Sequence, residues 1–184
     1  MKFKYEIPSL ARKQDAIDYI NEFYQYNSKI HGVGGLDRYL ADYEAWLLKL
    51  EEDCTREVTE ERVPGRTYFF VRVEDNKIIG MVNIRTKLNQ KMIDTHGHIG
   101  YSIRPTERGN GYNKINLYLA LKVCREYEIK EALLDADSDN PASWRTMESL
   151  GGKLYREEDA IKYYSIDVEK SLETYCEEYE PFVK

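Results

Sequence analysis

The segment His98-Ile-Gly-Tyr-Ser-Ile-Arg-Pro-Thr-Glu-Arg-Gly-Asn-Gly-Tyr112, with the apolar run Ile115 to Tyr127 behind it, restricts the folds open to this chain more than any other feature. Ile99, Tyr101 and Ile103 alternate with small or polar residues, the pattern of a strand buried on one face, and Arg104-Pro105 ends it because proline has no ladder donor. Thr106 to Gly111 is then a loop whose Gly109 and Gly111 permit positive φ and close approach of the backbone to a ligand. Tyr112 to Tyr127 carries Ile115, Leu119 and Val123 at helical spacing. Leu117, Tyr118, Ala120, Leu121 and Cys124 make it apolar nearly all round, so this helix is buried. A glycine-rich turn entering a helix N-terminus offers unpaired N–H groups and the positive end of the helix dipole, which suits a phosphate.

Among phosphate-binding arrangements, a P-loop needs Gly-Lys-Ser/Thr, which does not follow Gly111. A dinucleotide fingerprint needs a third glycine near Lys114 and an acidic residue ending the next strand. Arg108 and Gly111 instead form an Arg-x-x-Gly that resembles the Arg/Gln-x-x-Gly-x-Gly/Ala signature of the GNAT superfamily of acetyl-CoA-dependent N-acetyltransferases. The last position of the signature is Asn113 here, a departure at the pyrophosphate end. The resemblance implies cofactor contacts from Ile103, Arg108, Gly109, Asn110, Gly111, Tyr112 and Asn113, with acetyl-CoA as co-substrate and no metal.

The remaining chain follows the element order of that superfamily. A short strand near Phe3 to Glu6 precedes a helix opened by Pro8-Ser9-Leu10 and running to about Tyr26, with Ala16, Ile17, Ile20, Phe23 and Tyr24 on one face. Asn27 to Gly35 is a loop of turn formers. Leu36, Tyr39, Leu40, Tyr43, Leu47 and Leu50 predict an amphipathic helix over Leu36 to Glu52. Thr67 to Val73 and Lys77 to Thr86 form a hairpin, and Leu88 to Gly97 connects it to the central strand. Glu131 to Asp137 predicts a buried strand, parallel to its predecessor because helical crossovers join parallel strands. Asn140-Pro141 starts a helix whose Ala142, Met147 and Leu150 face the core, and Gly151-Gly152 stops it. Lys153 to Arg156 and Ile161 to Asp167 close the sheet. The expected fold is α+β (α/β) of GNAT type: a mixed sheet of about six to seven strands, antiparallel at its N-terminal side, with a splayed central parallel pair and about four helices on both faces. The resemblance is strongest over Val63 to Asp167, where Gly97-His-Ile-Gly-Tyr-Ser-Ile-Arg-Pro and Asp139-Asn-Pro-Ala-Ser are similar to a bacterial branch of the superfamily.

A length of 184 residues suits one domain, 1–184, with an acceptor-side helical region at 1–62, a cofactor-binding core at 63–167 and a helical tail at 168–184. A formal charge of −6 argues against a nucleic-acid backbone as partner. Cys54, Cys124 and Cys176 are an odd set without metal-like spacing, which gives neither a disulfide framework nor a zinc site. Neither a signal-peptide core nor an apolar run of roughly 18 residues is found, so the expected location is the cytoplasm, away from membranes.

Acetyl transfer to an amine requires a base, donors for the carbonyl oxygen and a proton for the departing thiol. His96 and His98 are two of three histidines in the chain. His98 is the first choice for the base, since related enzymes often carry a carboxylate at its strand position; the competing role is a hydrogen-bonding pin for the loop before the strand. Asn140 suits an N-cap ahead of Pro141, and the resemblance also brings Asn140 and Ser143 to the pantetheine. The family's tyrosine acid falls on Met147 here. Tyr164 is taken as its substitute, with Tyr163 and Tyr101 as alternatives and packing as the competing role of each. Residues 1–62 hold 13 acidic and 9 basic side chains, which favours a cationic amine, a small molecule or a peptide, as acceptor. Gly32, Gly34 and Gly35 beside His31 read as a lid or a plain loop. The tail, with Tyr175, Tyr179 and Phe182, docks on its own domain or on a second subunit in a homodimer. The main expectation is therefore an N-acetyltransferase acting by direct attack; the alternative is a non-catalytic acyl-CoA-binding or regulatory module.

Overall fold

The computed structural model describes residues Met1–Lys184. Seven strands form two antiparallel sheets. β1 (Phe3–Glu6), β2 (Gly65–Arg72), β3 (Lys77–Arg85) and β4 (Ile99–Ile103) lie in that order in the first. In the second, β7 (Ile161–Asp167) lies between β5 (Glu131–Asp137) and β6 (Lys153–Glu158). The last strand is thus inserted beside β5, because the tight turn at Asp159-Ala160, both at positive φ, folds β7 back along β6.

Side-chain alternation divides the core in two. Phe69, Val71 and Met81 of β2 and β3 pack under α1 (Lys13–Gln25) and α2 (Tyr43–Thr55), against Tyr19, Phe23 and Trp46. Phe70, Val82 and Ile84 point the opposite way, onto α4 (Tyr112–Glu126), which is buried along most of its length as expected. α6 (Val168–Tyr179) lies on α4 in the same chain, with the Tyr118 and Tyr179 rings 5.5 Å apart, while Phe182 stays exposed. The tail therefore packs on its own domain.

Several boundaries differ from the sequence expectation. The helix expected over Leu36 to Glu52 is split: Leu36–Arg38 is a single 3-10 turn, and α2 starts at Tyr43, where Asp42 accepts from the Ala45 N–H as N-cap. An Asx cap overrides the hydrophobic period at this point. The connection Leu88 to Gly97 contains α3 (Gln90–Thr95), capped by Asn89, which accepts from the Met92 N–H at 2.8 Å. Tyr24 is exposed, and Tyr19 takes the core position instead. Ala142, at the start of α5 (Pro141–Glu148), is exposed and faces the cleft described below rather than the core. No helix is long and apolar enough to cross a membrane.

Candidate active site

β4 and β5 share no ladder and touch at one point. The His98 N–H donates to the Leu133 carbonyl at 2.7 Å, and the Leu133 N–H donates back to His98 Nδ1 at 3.0 Å. Gly97, at φ +61°, lets the strands meet so closely: a Cβ there would lie 2.2 Å from the Leu133 oxygen. Beyond this vertex the strands diverge around a cleft of about 940 Å³. The His98 carbonyl and the Arg104 N–H both bond to β3. Antiparallel alternation therefore turns the N–H and C=O groups of Ile99, Tyr101 and Ile103 away from β3, toward the cleft.

At one end of the cleft the loop between β4 and α4 forms a cradle. Gly109 and Gly111 take φ +82° and +76°, with nothing within 4 Å of where a Cβ would stand. The backbone N–H groups of residues 109–113 donate to no protein acceptor. Five consecutive free amides at the N-terminus of a fifteen-residue helix fit a phosphate or pyrophosphate. The loop is fixed from below: Glu22 accepts from the Thr106 N–H and hydroxyl at 2.9 and 2.8 Å and pairs with buried Arg104 at 2.8 Å. Those donors hold the Glu22 carboxyl below its ordinary pKa despite burial.

The side chains around the cradle are largely engaged with the protein. Arg108 donates from Nε to the Ile103 carbonyl at 3.0 Å and from Nη2 to Ser28 Oγ at 2.8 Å, and lies 5.4 Å from the Phe23 ring. It straps the cradle to the loop after α1. Asn110 closes its own turn by donating to the Glu107 carbonyl. Asn113 donates to Thr146 Oγ1 at 3.5 Å, joining α4 to α5 at the position where the family signature has Gly or Ala. Tyr112 packs on Phe3 and lines the cleft. Asn140 accepts from the Ser143 N–H as the N-cap of α5, and both residues line the cleft. Ser143 Oγ lies 3.0 Å from the Tyr101 hydroxyl.

The two residues expected to be catalytic do not line the cleft. The His98 Nδ1 lone pair is taken by Leu133, and burial, with Arg85 nearby, pushes the imidazole pKa down to about 4. The geometry is that of the pin. Tyr164 is buried and donates to Glu148 Oε1 at 2.9 Å, away from the opening. Met147 is buried as well.

What faces the cleft near the vertex is Asp135, His96 and Arg85. Asp135 lies on the face of β5 that Leu133 and Asp137 share, opposite the buried Ala132, Leu134 and Ala136. Burial pushes its carboxyl up to about 6, against the opposing pull of Arg85. His96 Nδ1 is 3.9 Å from Asp135 Oδ1, and burial lowers the pKa of the imidazole. Sequence reasoning missed Asp135 and Arg85. The available signal was a carboxylate in mid-strand among apolar residues, a placement that desolvates a charge. Tyr101 is the tyrosine at mid-cleft; burial pushes it up to about 12, so it is a neutral O–H donor.

The opposite wall is the loop 27–35 with α2. Ser102 Oγ donates to the His31 carbonyl at 2.6 Å, and Gly32 lies so close to β4 that a Cβ would be 2.2 Å from the Gly100 oxygen. Lys29 reaches across to Asp137 at 2.5 Å, and Lys49 pairs with Asp53 at 2.5 Å.

No curated protein matches the chain in sequence. Its fold is similar to that of the spermidine/spermine N-acetyltransferase of Vibrio cholerae, with a TM-score of 0.62 and 13% identity over 94% of this chain and 98% of that one. It is also similar to the ribosomal-protein-S5-alanine acetyltransferase of Vibrio fischeri, with a TM-score of 0.65 and 14% identity over 91% and 94%. A GNAT family acetyltransferase of Bacillus anthracis gives a TM-score of 0.59 and 14% identity over 92% and 96%. Identities this low establish the shared fold alone, but the sequence model of the Acetyltransferase (GNAT) family matches residues 21–151, well over half of the chain. With the cradle, the splayed strands and that match in agreement, the chain belongs to the GNAT family of acetyltransferases.

Proposed function

We propose that the protein transfers the acetyl group of acetyl-CoA to a primary amine by direct attack in the cleft between β4 and β5, with Asp135 as the base. The observation that carries this reading is the continuity of the cleft, from the free amides of 109–113, along the open edge of β4, to a carboxyl poised near 6. Acetyl-CoA supplies an activated thioester. The cradle amides suit its pyrophosphate, and Asn140 and Ser143, which line the same cleft, are assigned to its pantetheine.

An ammonium acceptor must lose a proton before its nitrogen can bond to the acetyl carbon. Asp135, ionised above about pH 6, takes that proton directly or through water. When the carbon–sulfur bond breaks, Tyr101, which lines the cleft, gives its hydroxyl proton to the sulfur and is reprotonated by the second proton leaving the amine nitrogen. Turned-out N–H groups of β4 can polarise the thioester oxygen. His96 beside Asp135 is a second proton carrier.

Thiol release from acetyl-CoA across a panel of amines, with calorimetry using coenzyme A, ATP and NAD, tests the reading. Amine-dependent release and selective binding of coenzyme A are expected. Binding of ATP or NAD in preference to coenzyme A would overturn it. The second reading, a non-catalytic acyl-CoA-binding module, is favoured by the burial of Met147 at the usual acid position and the pairing of Tyr164 with Glu148. Coenzyme A binding without amine-dependent release would select it.

A further inference from the structure

Arg85 is not used by the chemistry above, and its surroundings are unusual for a cation. It sits at the end of β3 facing the cleft, half-buried, with Nη1 donating to the Gly97 carbonyl at 3.0 Å. Of the cationic side chains lining the cleft, Lys29, Arg38, Arg108 and Lys114 are exposed; only Lys49 and Arg85 are withdrawn from water. Lys49 has its carboxylate, Asp53. No carboxylate oxygen of the protein reaches ion-pair distance of Arg85, although Asp135 and His96 line the same end of the cleft.

The space beside the guanidinium is open by construction. Its cross-strand neighbour on β2 is Gly65, and the next residue on that face of β3, Asn83, stands opposite Gly100 of β4. Neither glycine supplies a side chain that could cover the arginine. Burial lowers the Arg85 pKa despite Asp135, the mark of a charge left without full compensation. A partly desolvated guanidinium that makes one hydrogen bond to the protein and lines an open cleft suits a planar anion.

We propose that the acceptor bears a carboxylate close to its amine, as an α- or β-amino acid does, and that Arg85 receives the carboxylate while Asp135 faces the amine. The inference rests on the acetyl-transfer reading, and it replaces the cationic acceptor expected from the charge count of residues 1–62. The two charges at this end of the cleft are opposite in sign, as are those of a zwitterionic amino acid, so a simple polyamine satisfies only Asp135 and leaves Arg85 unpaired. Discrimination of this kind is set by the buried polar group that goes unmet, and it operates against the wrong acceptor.

The test compares free amino acids with their C-terminal amides as acceptors, using acetyl-CoA and the full chain. A preference for the free acid of roughly 10–100-fold in kcat/KM is expected, the range for a hydrogen-bonded charge pair. Arg85→Gln should abolish that preference while acetyl-CoA affinity, read by calorimetry, is retained; Arg85→Lys, which keeps the charge without the fork, should fall between. Amides or polyamines used as well as free acids by the parent, or a preference that survives Arg85→Gln, would overturn the proposal. The parent comparison stands even where a variant fails to fold. If acetyl-CoA binds and amides win, only the acceptor assignment falls; if acetyl-CoA does not bind, the transfer reading falls with it.

Discussion

The two ends of the cleft are built from different material. The cradle end presents backbone: free amides of 109–113 and the open edge of β4, placed by positive-φ glycines and braced by Glu22 and Arg104. The vertex end presents side chains, Asp135, His96 and Arg85, whose properties come from burial. A backbone site depends on conformation and is indifferent to pH. A side-chain site depends on desolvation, and pH should control it. Substitutions at the two ends should therefore fail in different ways, in affinity at one and in rate and pH profile at the other.

The largest effect is expected at Asp135. Asp135→Asn should lower the rate by roughly 10²–10⁴-fold and remove an acidic limb with its midpoint near 6, with coenzyme A affinity unchanged. Its folded pKa is raised above 3.8, so its contribution to stability is complete below that value and is lost as pH rises to about 6. At pH 7.5 the asparagine variant should melt no lower than the parent. A residual limb at the same midpoint in steady-state kinetics would transfer the base role to His96.

At the cradle the pattern reverses. Gly111→Val forces a β-branched residue to φ +76° and puts a side chain where a phosphate would approach the amides. Affinity for coenzyme A should drop by roughly 100-fold, the loss of two or so charge-assisted bonds. Strain of about 1–3 kcal/mol lowers Tm by several degrees, while the pH midpoint of any remaining activity stays in place. Calorimetry and a pH–rate profile on the same preparation separate the two losses.

This contrast also explains which parts of the molecule were legible in the sequence. Backbone sites write themselves as glycines: Gly109, Gly111 and the Arg-x-x-Gly spacing marked the cradle, and the alternation of Ile99, Tyr101 and Ile103 marked β4. The strand at Glu131–Asp137 was found with its bounds, yet its one informative residue was not, because a carboxylate's role depends on what the sheet opening brings beside it. His98 is the clearest instance. Its residue type and place on the strand fit a base and a pin equally, and only the Leu133 amide, 35 positions along the chain, distinguishes them. The break before α2 was hidden because Asp42 acts through a cap that periodicity does not register. Arg108 was expected among the cofactor contacts, and its side chain lies over Phe23 and against Ser28, residues no local motif connects to it.

His98 should behave as structure. His98→Leu removes the acceptor for the Leu133 N–H at the vertex, which leaves a buried donor unmet at about 1–3 kcal/mol. Tm should fall while the kinetic midpoint near 6 persists. Its folded pKa of about 4 lies below the ordinary 6.5, so the parent's stability from this group is present above 6.5 and lost as pH falls toward 4. Asp135 acts in the opposite sense over nearly the same interval. In the parent the two slopes oppose one another, and each variant should uncover the other's: relative to the parent, Asp135→Asn loses stability more steeply on acidification and His98→Leu less steeply. Denaturant melts at pH 7.5, 6, 5 and 4 would show this crossing, and parallel curves for the two variants would refute the assignment of both groups.

The smallest effect is expected where the wall is exposed. Lys29 and Asp137 bridge the mouth of the cleft at 2.5 Å, but the Lys29 side chain is 73% exposed, so water and salt weaken the pair. The loop that carries Lys29 is anchored independently. The Ser102 hydroxyl donates to the His31 carbonyl, and Gly32 packs against the backbone of Gly100 with no room for a Cβ. Lys29→Ala should therefore leave Tm unchanged and alter the acceptor KM by under about fivefold, with the difference vanishing in 0.5 M salt. Gly32→Ala is the control, since it displaces the loop through backbone contact and should impair acceptor and coenzyme A kinetics together. A large, salt-insensitive drop in kcat for Lys29→Ala would mean that the bridge, and not the backbone packing beneath it, holds the acceptor wall, and the distinction between a backbone-built end and a side-chain-built end would then have to be drawn further along the cleft.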